Sequence, residues 1–118
     1  MKEKDIIFIK LEIIEWKKVN KTMKQSEKVA YWLEIAEYDL ETAKAMLDTK
    51  RYLYVGFMCH QAIEKILKAV YVAKFPSETP PYTHNLIKLA RLSGIFDLLV
   101  PEQIFFVNKL EPLNIESH

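Results

Sequence analysis

The residues with the greatest chemical potential in this sequence crowd into one short stretch: His60, Gln61, Glu64, Lys65 and Lys68. His60, Glu64 and Lys68 recur at i, i+4 and i+8, and Gln61, Lys65 and Lys68 at i, i+4 and i+7, so a helix through them carries two adjoining polar stripes. Two readings follow. On a solvated face, Glu64 and Lys68 form a surface pair worth about 0.2–0.5 kcal/mol, which is the commoner fate of such a stripe. At the edge of a cleft, Lys65 and Lys68 supply charge for a phosphate or nucleotide, and His60 adds a titratable donor.

Other candidates carry less. His60 and Glu64 could share a metal ion at helical spacing, but no third or fourth ligand can be named, so no metal site is assigned. Cys59 beside His60 is not a nucleophile–base pair, because adjacent helical residues point apart; it reads as a small buried hydrophobe. His84 follows a proline-rich segment and lacks an identifiable activating partner, which favours a positioning role. The aromatic residues Trp32, Tyr38, Tyr52, Tyr54, Phe57, Tyr71, Phe75 and Tyr82 offer stacking surfaces to bases, although at helical spacing such residues more often form core or dimer contacts. No catalytic residue and no cofactor is assigned.

The elements that position these groups are helical. From Ser26 to about Thr49, Val29, Trp32, Leu33, Ala36, Leu40, Ala43 and Leu47 recur at three- and four-residue spacing, with Ser26 as the expected N-cap. Tyr52 to Phe75 carries apolar residues on more than one face, Leu53 among them. It is therefore expected at the centre of a bundle or against a partner, antiparallel to the first helix across a short link. Gly56 inside it should permit a close contact. Three prolines between Phe75 and Thr83 then break the chain. Thr83 is expected to cap a short helix from His84 to Ser93, with Gly94 as its left-handed stop. Pro101 opens a further helix over Glu102 to Glu111, with Ile104, Phe105, Val107 and Leu110 apolar, and Pro112 ends it. The first 24 residues fit a strand or a helix equally well, through Ile9, Leu11 and Ile13 or through Ile7, Leu11 and Ile14.

Composition bounds the rest. With 118 residues, 50% apolar and 28% charged, the chain is one water-soluble domain. A single cysteine rules out an internal disulfide and a cysteine-rich zinc site, and suits the cytoplasm. Two glycines are too few for a P-loop or dinucleotide-binding loop. The net charge of +1 conceals a gradient: eight Lys against five acids through Lys28, and three basic residues against five acids after Phe75. Any anion site must be local.

Three blocks, in order, resemble the HEPN domain: Tyr31-Trp32-Leu33 with Ala36 and Asp39-Leu40; Phe57 with His60 through Ala69; and Thr83-His84-Asn85-Leu86 with Leu89. The resemblance implies an all-α, up-and-down bundle of four to five helices over residues 23–118, foreshortened at its end, after an extension at 1–22. It also implies a homodimer, often paired with a minimal nucleotidyltransferase in a toxin–antitoxin system. Many members are metal-independent RNases that use an Arg and a His roughly four to six residues apart. This sequence lacks that spacing: eight residues separate Arg51 from His60, and Arg91 has no His nearby. The expectation is therefore a binding protein that engages its partner, a nucleotide or RNA through His60, Gln61, Glu64, Lys65 and Lys68, with Asp39 and His84 ordering the surroundings. The alternatives are an RNase with an atypical site at His60 or His84, and a dimerisation adaptor.

Overall fold

A computed structural model of the chain describes residues 27–113, together with Ile7 and Leu11. The expected N-cap Ser26 and the segment after Leu113 lie outside the described residues. Ile7 and Leu11 are both helical and exposed, and the rest of the opening segment, with the choice between its two readings, lies outside the described residues.

Four α-helices and two 3-10 turns make up the described bundle, and it contains no strand: the fold is all-α. Helix α1 spans Glu27–Asp48, α2 Tyr52–Lys74, α3 Leu86–Leu92 and α4 Pro101–Leu110; the 3-10 turns are Phe96–Leu98 and Glu111–Leu113. The two long helices form an antiparallel hairpin that packs along its length. Its apolar seam fixes this. Val29 and Leu33 near the start of α1 meet Ala69 and Val72 near the end of α2, while Ala36, Leu40 and Ala43 join Val55, Cys59 and Ala62 in the main core. Helices α3 and α4 close that core with Leu86, Leu89, Ala90, Val107 and Leu110. Helix α2 touches every other helix, as its several apolar faces imply.

Two helices end in the same way. At Gly94 (φ 80°) the N–H of Ile95 reaches the carbonyl of Ala90, and that of Gly94 reaches Arg91. After α1, Arg51 N–H bonds to Met46 and Lys50 N–H to Leu47, with Lys50 at φ 61°. Both are Schellman stops. The sequence announces the first through its glycine; the second places a lysine where the left-handed conformation costs about 1–2 kcal/mol, so nothing in the sequence marks it. Gly56 does allow a close approach, but by a side chain and not by a helix: a Cβ there would lie 2.7 Å from Leu113 Cδ1.

Three expectations need correction. The third helix starts at Leu86, not His84, because Asn85 is its N-cap and accepts a hydrogen bond from Lys88 N–H at 2.9 Å. Thr83 serves the preceding loop, its hydroxyl accepting from Asn85 N–H. Phe105 and Leu53 are exposed at 66% and 62%: α4 turns Val107 and Leu110 inward, and the first turn of α2, Tyr52 to Tyr54, faces solvent.

Candidate functional site

The polar stripes of α2 are buried. His60 is 0% exposed, Glu64 1%, and Gln61 and Lys68 8% each, so the solvated-face reading does not hold. Burial of these groups is tolerable only because they meet one another and groups from other elements.

Glu64 is the hub. Its Oε1 lies 2.8 Å from His84 Nδ1 and its Oε2 accepts from Lys68 Nζ at 3.1 Å, with Lys65 Nζ 3.9 Å away. Burial by itself would raise this carboxyl, but the hydrogen bond with His84 and the nearby Lys68 and Lys65 charges outweigh it and hold it below the ordinary carboxylate value. Lys65 donates to Gln61 Oε1 at 2.9 Å and approaches Asp39 of α1 at 3.8 Å. Lys68 Nζ also sits 5.5 Å from the centre of the Trp32 ring. The five α2 residues, Asp39 and His84 thus lie in one connected group.

His84 reaches Glu64 because it precedes α3. As part of the loop, it turns back toward α2 while remaining 37% exposed in its side chain. Its Nδ1 faces the carboxylate, which leaves Nε2 on the outer side of the ring. Tyr82, 96% exposed, stands edge-on to it at 6.0 Å.

Sequence reasoning missed Glu111. This residue starts the last 3-10 turn; its Oε1 accepts the N–H groups of Leu86 and Ile87, so it caps α3 from 25 positions away, and its Oε2 lies 3.7 Å from His60 Nε2. A carboxylate beside a helix N-terminus is favourable, but only the closed bundle brings it there. His60 is thereby set between two carboxylates, with its Nδ1 4.0 Å from Glu64, and neither ring nitrogen makes a hydrogen bond among the described residues. Burial keeps its pKa below 6.5, against the partial opposition of Glu111 and Glu64.

Chemically, the arrangement is a buried carboxylate that gathers two lysines and a partly exposed imidazole. Among the described residues, no three His, Cys, Asp or Glu groups are placed to share a metal ion, and no helix is long and apolar enough to cross a membrane.

The family profile described as HEPN domain matches residues 29–118. The chain belongs to the HEPN family. No curated protein and no solved structure shows significant similarity to it. Within this HEPN domain the gathered polar group lies on the central helix, and the chain's only histidines besides the terminal His118, His60 and His84, both belong to it.

Proposed function

We propose that this HEPN protein is a non-catalytic binding module, acting as a homodimer in the cytoplasm and as the partner of a minimal nucleotidyltransferase in a toxin–antitoxin-like pair. Its ligand contact is the phosphate of a nucleotide or of RNA, taken by Lys65, Lys68 and His84. The observation that carries the ligand reading is the gathering of these three groups by Glu64, with exposed Tyr82 beside them as a stacking surface for a base. Family membership supports the partner reading.

Glu64 and Asp39 offset part of the lysine charge, so an incoming phosphate competes with internal ion pairs and binding should weaken steeply with salt. Lys65→Ala combined with Lys68→Ala is expected to abolish nucleotide binding in calorimetry at low salt while circular dichroism still reports a helical fold. Unchanged binding to both nucleotide and the nucleotidyltransferase would assign the lysines a structural role only.

A second reading rests on His84. A buried carboxylate 2.8 Å from Nδ1 is the arrangement that orients an imidazole and leaves the opposite nitrogen available for proton transfer. On this reading the protein is an RNase with an atypical site, and Lys65 stabilises the charged transition state. Purified protein would then cleave RNA, and His84→Ala would stop it; absence of cleavage by the wild type eliminates this reading.

A further inference from the structure

His60 is wholly buried between two carboxylates, with Nε2 3.7 Å from Glu111 Oε2 and Nδ1 4.0 Å from Glu64 Oε1, both beyond hydrogen-bond range. A neutral imidazole carries one N–H, so it can meet only one of these neighbours; the imidazolium donates from both nitrogens. The charged and titratable groups that act on the ring are Glu64 of its own helix, Glu111 of the last 3-10 turn and His84 of the proline loop. The other elements meet this part of α2 through apolar side chains, Leu40 from α1, Leu89 from α3 and Leu110 from α4, and Cys59 turns into the same core. Asp39 of α1 faces Lys65 instead.

Both carboxylates already hold one stretch of chain. The oxygen of Glu64 that faces His60 is the one 2.8 Å from His84 Nδ1. Glu111 accepts the N–H groups of Leu86 and Ile87, the second at 3.4 Å, a long bond. Asn85 serves Lys88 N–H, so Leu86 and Ile87 depend on Glu111. Closing on His60 to the spacing of a charged pair moves each carboxylate by about 1 Å, which sets the ring in competition with residues 84–87 for both. The turn that carries Glu111 is fastened to α2 at the same place, because Leu113 packs against Gly56, one turn before His60.

We propose that His60 is the proton sensor of a latch at the start of α3: when its imidazole takes up a proton, Glu111 and Glu64 turn to the ring and release residues 84–87, while the α1–α2 hairpin stays closed. Helix α3 has seven residues, whereas the hairpin packs along its whole length, so the start of α3 is the part that opens first. Burial holds the ring below 6.5 while the latch is closed, so opening takes up a proton and is favoured as the pH falls from 6.5 toward that lower value. The latch operates whether or not the polar group takes a phosphate.

Amide hydrogen exchange of the full chain, followed by NMR from pH 8 to 5 and corrected for intrinsic rates, tests it. Protection of Leu86 and Ile87 should fall below pH 6.5 by up to about tenfold per pH unit, the limit for one proton taken up on opening. It should respond little to dilute urea, whereas Leu67 in the middle of α2 should exchange more slowly and respond strongly. His60→Gln should abolish the pH dependence, and His84→Gln, which removes the other imidazole, should keep it. If His60→Gln does not fold, the His84 variant still decides. Three outcomes would each overturn the proposal. Exchange at Leu86 and Ile87 that tracks Leu67 at every urea concentration would mean global unfolding alone. A pH dependence that survives His60→Gln would remove His60 as the sensor, and one that disappears in His84→Gln would assign that role to His84.

Discussion

Helix α2 presents two flanks that the bundle treats in opposite ways: Glu64, His60 and Lys68 are almost wholly enclosed, while the apolar Ile63 and Ile66 are only partly covered. These isoleucines line a shallow apolar cleft of about 90 Å3 with Leu67, Ala90 and Phe106. Gln103, which also lines it, commits its carbonyl to Val100 N–H at 2.9 Å. Hydrophobicity alone would have sorted the two flanks the other way. The polar flank can be enclosed because α1, the proline loop and the last turn each deliver a group to it: Asp39, His84 and Glu111. The apolar flank faces shorter elements that leave part of it open.

The difference predicts unequal sensitivities. Glu64→Ala removes the shared partner of Lys68 and His84 and leaves a buried ammonium uncompensated, so it should cost about 3–5 kcal/mol. Ile66→Ala, on a half-covered surface, should cost about 1–2 kcal/mol, below the usual range for a fully buried isoleucine. Urea denaturation of both variants checks the order. An Ile66→Ala variant less stable than Glu64→Ala would reverse the comparison.

Acid should act on the polar flank in two stages. His60 is held below 6.5 chiefly by burial, so the unfolded chain takes up a proton that the folded protein resists. Its contribution is complete above pH 6.5 and is lost as the pH falls from there through the depressed folded value. Burial opposes ionisation of Glu64, but His84, Lys68 and Lys65 hold it below 4.5, so its contribution persists above pH 4.5 and disappears as the pH falls through its own lower folded value. Urea midpoints measured from pH 8 to 3 should fall in both windows, and His60→Gln should remove the upper one. A profile that His60→Gln leaves unaltered would detach that histidine from the acid response.

The smallest effect belongs outside both flanks. Phe105, 66% exposed on α4, should tolerate Ser within about 0.5 kcal/mol in the same assay.

Much of the fold is legible along the chain. The ranges of α1 and α2 follow from apolar spacing to within a residue or two, Pro101 marks the start of α4, and Gly94 marks the end of α3. Those signals are local, since each depends on residues within a turn or two. The start of α3 is misread because Thr83 and Asn85 are both good caps, and only the path of the loop decides between them. The stop at Lys50 is illegible for a related reason: tertiary packing of the hairpin outweighs a local preference.

The candidate site divides in the same way. The sequence determined that His60, Gln61, Glu64, Lys65 and Lys68 share a helical surface, because 3.6 residues per turn permits little else, and its blocks carried the family resemblance. Tertiary structure alone decided that this surface lies inside, that His84 faces Glu64, and that Glu111 reaches both His60 and the start of α3. Those contacts join positions 20 and more residues apart. No periodicity spans such a distance; it is bridged only when the core formed by Leu86, Leu89 and Leu110 draws the short helices onto α2.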